Sequence, residues 1–167
     1  EALGMLGLYL HVPFCDGKCP YCDFYSLAGD EALKEAYTRS LEKQLVFWAQ
    51  KLIQKGVPPV ADPLYFGGGT PNLLGAERIS RLIKTAKQNF SLENAEITVE
   101  VNPSSRLDAF LQTIFSAGAN RLSIGLQSAN DAELKILGRR HTARQAAETV
   151  QAARRAGFSN LSLDLML

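Results

Sequence analysis

Cysteine is scarce in this chain of 167 residues: there are three, all between Cys15 and Cys22. A disulfide framework needs pairs spread along a chain, so none is read here, and a reducing, cytoplasmic setting is expected. Long apolar runs are lacking as well. None approaches the roughly 20 residues that a membrane-spanning helix needs, and the opening residues do not read as a signal peptide. Neither sign of charge dominates: the net charge is +1, which gives no reason to expect a nucleic-acid or membrane partner. The glycine run Gly67-Gly68-Gly69 leads into Thr70-Pro71, so it is neither a P-loop nor a G-x-G-x-x-G dinucleotide fingerprint. What is present suits a globular domain, with 46% hydrophobic and 21% charged residues and enough length to bury a core.

Short β-like runs alternate with helical patterns. Strands are expected at residues 6–12, 63–66, 96–101, 121–126 and 160–166. Helices are expected at 30–54, 76–89, 107–116, 131–137 and 142–156, the first from apolar residues at near-helical spacing, Leu33, Tyr37, Leu41, Leu45, Trp48 and Leu52. Gly118 and Gly157 read as C-caps, and Thr142 with Gln145 as a capping box. This β-α alternation implies a parallel sheet with right-handed crossovers. Polar or Gly-rich segments follow the first four strands, and functional residues in barrels gather on such a rim. That favours a partial barrel over a doubly wound sheet, which concentrates its site at one switch point. The opening EALGMLG and the closing LSLDLML read as cuts, so residues 1–167 are expected to be one domain at the N-terminal side of a longer polypeptide.

Cys15, Cys19 and Cys22 have the spacing C-x3-C-x2-C. Three thiolates are one short of the four that an iron–sulfur cube normally takes, which would leave one iron open to a ligand. The alternative is a zinc site completed by His11, although the spacing is unusual for zinc. The glycine run after the second strand is either a tight turn or bare backbone that a ligand can approach. Glu100 closes an apolar strand. It either accepts the two hydroxyls of a ribose or pairs with Arg121 or another cation of the rim. Gln127 and Asp164 are polar groups in apolar runs and need partners. Arg139 and Arg140 read either as a solvated pair or as carboxylate-binding groups.

Together the motifs resemble the radical S-adenosylmethionine (radical SAM) superfamily. Tyr9-x-His11-x-Pro13-Phe14-Cys15-x3-Cys19-x2-Cys22 looks like its signature. YFGGGTPN, TVEVNP, RLSIGLQS, LGRRH and LSLDLML follow in the order of the oxygen-independent coproporphyrinogen III oxidase-like group. The resemblance implies a partial (β/α)6 barrel, here covering about five βα units, with a [4Fe–4S] cluster on Cys15, Cys19 and Cys22. It also implies S-adenosylmethionine (SAM) on the fourth iron. Tyr9 is then beside the methionine moiety and the backbone of Gly67, Gly68, Gly69 and Thr70 meets its amino group. Glu100 is on the ribose, and Gln127, Arg139 and Asp164 make further cofactor contacts. Coproporphyrinogen oxidases carry a fourth cysteine two positions after the third, where this chain has Phe24. Cys-x-Phe resembles the HemW branch of haem chaperones. That implies haem or porphyrin as ligand, with an electron donor and a haem acceptor as partners. The alternative is an oxidoreductase that decarboxylates coproporphyrinogen III through a 5′-deoxyadenosyl radical.

Overall fold

The computed structural model describes residues 6–166. The expectation that the ends are cut concerns residues 1–5 and 167, which lie outside the described residues. In chain order the elements are β1 (Leu6–Val12), α1 (Glu31–Gln54), β2 (Ala61–Gly68), α2 (Ala76–Asn89) and β3 (Ile97–Val101). α3 (Asp108–Ala117), β4 (Arg121–Gln127), α4 (Asp131–Ile136), α5 (Ala143–Ala156) and β5 (Asn160–Leu165) follow. A short 3-10 turn, Pro71–Leu74, lies between β2 and α2.

All five strands are parallel, and the sheet order is β1-β2-β3-β4-β5. Each strand therefore pairs with the next in sequence. A doubly wound sheet reverses direction at a switch point, whereas this order winds one way, as a barrel does. β1 and β5 do not pair with each other, so the sheet is an open, partial barrel.

The period of each element explains which face is covered. α2 buries Ile79, Leu82, Ile83 and Ala86, one stripe at helical spacing. These meet Leu64, Phe66, Val99, Leu122 and Ile124 from the strands, with Leu111 and Ile114 of α3 and Ala153 of α5 in the same core. Each large apolar side chain so buried stabilises the fold by about 1.5–3 kcal/mol. Alternate strand residues point the other way, and these are polar or aromatic: Tyr9, Tyr65, Glu100, Ser123 and Asp164. The helices thus cover the apolar face, and the opposite face is left to carry chemistry.

Two boundaries differ from expectation in a way that matters. β2 runs on through Gly67 and Gly68, which pair with His11 and Val12 of β1. Glycine weakens a strand, so the sequence alone reads these residues as loop. α4 stops at Ile136, and the left-handed Gly138 (φ 69°) turns the chain back toward the cysteine loop. A Cβ at Gly138 would lie 2.7 Å from the Pro20 ring.

Candidate functional site

The loop between β1 and α1 is pinned at its neck. The Cys15 N–H donates to Leu27 O at 3.1 Å, and the Leu27 N–H donates to Pro13 O at 2.8 Å. Phe14 is buried there, edge-on to Tyr37 at 5.5 Å. Beyond the neck the chain is free to present its thiols. Cys15, Cys19 and Cys22 are half-buried, unpaired, and line one cleft of 330 Å³ together with Gly69, Thr70 and Arg139. The Cys15 thiol donates to Gly17 O at 2.8 Å, and the Cys19 thiol to Gly138 O at 3.7 Å.

The Cys3His arrangement is not assembled. Among the described residues no three His, Cys, Asp or Glu side chains are grouped to hold a single metal ion. His11 is on β1 and faces Tyr9, whose hydroxyl is 3.1 Å from His11 Nδ1. Its ring occupies the space that a Cβ at Gly68 would take, at 2.6 Å.

The glycine run has three separate steric reasons. A Cβ on Gly67 would lie 3.0 Å from Glu100 Oε1, one on Gly68 would strike His11, and one on Gly69 would lie 2.7 Å from Phe14 O. Gly68 also has φ 119°, where side chains are strained. β2 can approach the cysteine loop this closely only with bare backbone.

Glu100 does not pair with Arg121, which instead lies 3.8 Å from Glu96 and donates to Thr98 and Ser162. Glu100 accepts from the Tyr65 hydroxyl at 2.8 Å on Oε1 and from the Gly68 N–H at 3.2 Å on Oε2. Burial pushes its carboxyl above the usual range, against the two hydrogen bonds that pull it down. Each carboxylate oxygen keeps one acceptor site. Tyr65 in turn is pushed up by burial and by its bond to Glu100, and its ring stacks on Tyr9 at 6.1 Å.

Arg139 is not a solvated arginine. Its Nη2 donates to Asn102 Oδ1 at 2.8 Å and to Gly125 O at 3.0 Å, while Nη1 is 3.4 Å from the Tyr21 hydroxyl. Its Nε is buried with no partner. Arg140 is the exposed member of the pair, bound to Asp16 at 3.1 Å. Gln127 adopts φ 67° at the end of β4. A Cβ on Gly125 would meet Asn102 Oδ1, Arg139 Nη2 and Gln127 Nε2 within 3.2 Å, so these three side chains converge above that glycine. Asp164 accepts from Ser123 at 2.9 Å.

The structure therefore brings the three cysteines, Gly69, Thr70 and Arg139 onto one cleft. Tyr9, Gly67, Gly68, Glu100, Gln127 and Asp164 lie outside that lining, on the strands that lead to it. Two residues escaped the sequence reading. Tyr65 looked like part of an apolar strand. Asn102 lies in the polar segment after β3; its side chain accepts from Arg139 and donates to Thr70 at 2.9 Å, and its backbone N–H donates to Asn72 Oδ1 at 3.1 Å. The only hint was its position immediately after an apolar strand that ends in a carboxylate.

Comparison with known proteins agrees with this geometry. The model of the radical SAM superfamily matches residues 9–167. Over 164 residues the chain is 40% identical to a mitochondrial radical S-adenosyl methionine domain-containing protein 1 of Bos taurus, covering 96% of this chain and 36% of that protein. It is 39% identical over 163 residues to the heme chaperone HemW of Haemophilus influenzae, covering 96% of this chain and 43% of that one. Among solved structures, coproporphyrinogen III oxidase (HemN) from Escherichia coli, described as a radical SAM enzyme, superposes with a TM-score of 0.83 at 31% identity. That match covers 96% of this chain and 37% of the oxidase. The chain thus spans less than half the length of these relatives. A radical SAM domain implies an iron–sulfur cluster and SAM. The chain belongs to the radical SAM superfamily, in the branch that holds HemW and the HemN-type oxidases.

Proposed function

We propose that this chain is the cofactor-binding core of a HemW-type protein that binds and transfers haem. In this reading Cys15, Cys19 and Cys22 hold a [4Fe–4S] cluster and leave one iron for SAM. The residues present fit both groups. Three free thiols share one cleft with Arg139, whose guanidinium is the kind of group that pairs with a carboxylate. Of the glycine run, Gly69 lies on the same cleft. Three free thiols and Arg139 lining one cleft is the observation that carries the reading.

When bound, the cluster supplies one electron at low potential for reductive cleavage of SAM. The protein's part is orientation. Glu100, with one acceptor site left on each oxygen, is suited to two ribose hydroxyls. Tyr9 stacks on Tyr65 beside it, with Gly67, Gly68, Gly69 and Thr70 on the adjoining strand end. Arg139, Gln127 and Asp164 complete the polar face. Phe14, buried under the cysteine loop, keeps water from reaching it from the core side.

The choice of haem handling over porphyrinogen oxidation rests on Phe24. It is exposed and stands where an oxidase of this group has cysteine. A single-domain core within a longer, cytoplasmic polypeptide is part of the same proposal; among the described residues no helix is long and apolar enough to cross a membrane. The full-length protein, reconstituted anaerobically, should bind haem in a spectroscopic titration and release it to an apo-haemoprotein. It should form no protoporphyrinogen from coproporphyrinogen III. Stoichiometric decarboxylation without haem uptake would replace this reading with the oxidase.

A further inference from the structure

The Thr70 hydroxyl is 3.6 Å from Cys15 Sγ and also accepts from Asn102 Nδ2 at 2.9 Å. Asn102 Oδ1 accepts from Arg139 Nη2 at 2.8 Å. These three contacts join the loop after α4, the end of β3, the end of β2 and the cysteine loop in one file. Their order leaves no freedom in the placement of protons. A guanidinium has donors only, so the atom of Asn102 that meets Arg139 must be the amide oxygen. The amide nitrogen is thereby turned to Thr70. A hydroxyl that is already accepting there has its single proton left for another partner, and Cys15 Sγ is the partner within reach.

From this we infer that Arg139, Asn102 and Thr70 form a directional hydrogen-bond relay that donates to the Cys15 sulfur and raises the reduction potential of the cluster it ligates. Asn102 and Thr70 act here as positioning residues. The inference rests on the cysteine trio holding a cluster. In the structure Cys15 is a thiol whose proton goes to Gly17 O. As an iron ligand it is a thiolate and accepts only. A donor aimed at a thiolate favours the cluster state with more negative charge, the reduced one, and hydrogen bonds to the sulfurs are among the factors that set these potentials. Hydrogen bonds in series polarise one another, so the fixed charge of Arg139 strengthens the last link. Cys19 Sγ has a different neighbour: it faces the Gly138 carbonyl at 3.7 Å. The relay therefore makes Cys15 electronically distinct from Cys19.

The test is an EPR-monitored redox titration of the full-length protein, reconstituted anaerobically and without SAM. Thr70→Val should carry a full iron complement and a more negative midpoint potential than wild type. Thr70→Ser, which keeps the hydroxyl, should return to near the wild-type value. Asn102→Asp replaces the donor facing Thr70 with an acceptor, draws the Thr70 proton away from sulfur, and should shift the potential in the same direction as Thr70→Val. An unchanged potential in Thr70→Val overturns the inference while leaving the cluster standing. So does a Thr70→Ser potential as low as that of Thr70→Val. A shift in Thr70→Val with none in Asn102→Asp removes Asn102 and Arg139 from the relay. Wild-type protein that takes up no iron overturns the cluster itself, and the relay with it.

Discussion

Tyr65 has no charge and no reactive atom, yet it decides how Glu100 behaves. Its hydroxyl is one of two donors that favour the ionised state of a half-buried carboxylate whose burial opposes it. Tyr9, His11 and Asp164 also face this carboxylate; Asp164 pushes its pKa up and His11 pulls it down. In the proposed reading an ionised Glu100 accepts the ribose hydroxyls, so SAM binding should weaken as pH falls through its raised pKa. Tyr65→Phe removes a stabilising donor and raises that pKa further. The acidic limb of SAM affinity should therefore move to higher pH, with affinity at neutral pH down about tenfold, the worth of a charge-assisted hydrogen bond. Isothermal titration from neutral pH downward through the acidic limb checks this; a limb that stays in place would remove Tyr65 from the site. The cysteines make a simpler claim at the same scale. Replacement of Cys15, Cys19 or Cys22 by Ser should each abolish a stable cluster in iron and sulfide analysis. His11→Ala should retain it, since His11 is engaged with Tyr9.

Among the elements, α5 shows how far local rules reach. Thr142 accepts from the Gln145 N–H, and the Gln145 side chain accepts from the Thr142 N–H, a closed capping box. Thr142→Ala should cost about 1 kcal/mol in urea unfolding. The caps and the five strands were legible in the sequence, because each depends on near neighbours in the chain; of the stripe expected in α1, Tyr37, Leu41, Leu45 and Leu52 face the core, whereas Leu33 and Trp48 are exposed. The cysteine trio and the polar residues at strand ends were legible too. The partners were not. Tyr65 and Glu100 are on different strands, and Asn102 meets Thr70 and Arg139 from different loops; such pairings depend on sheet register, which periodicity does not give. The ionic lattice between α1 and α2 was equally hidden. Hydrogen bonds from Arg81, then Arg39, hold the Glu35 carboxyl down at about 2, with Arg78 adding to them. A depressed carboxyl contributes stability that is full above its unfolded pKa and is lost as pH falls toward its folded one. The urea midpoint should therefore drop between about pH 5 and pH 2. Glu35→Gln should flatten that drop, and high salt should shrink it in the parent.

For the whole molecule, the division of labour between the two sheet faces governs the rest. Helices cover one face with apolar side chains, and the other face gathers Tyr9, Tyr65, Glu100, Ser123 and Asp164. Leu163, Leu165 and Met166 of and after β5 are exposed, as is Trp48 of α1 near the other edge. In the proposed reading, haem transfer belongs to the full-length protein, and these residues supply the part that would hold the cluster and SAM. The central claim is that three cysteines leave one iron free for SAM. The most direct measurement is the EPR spectrum of the reduced, reconstituted protein with and without SAM. The account predicts a [4Fe–4S] signal whose g-values change when SAM is added and which is lost in Cys19→Ser. A reduced cluster with a spectrum indifferent to SAM, or a protein holding zinc and no iron, would contradict it.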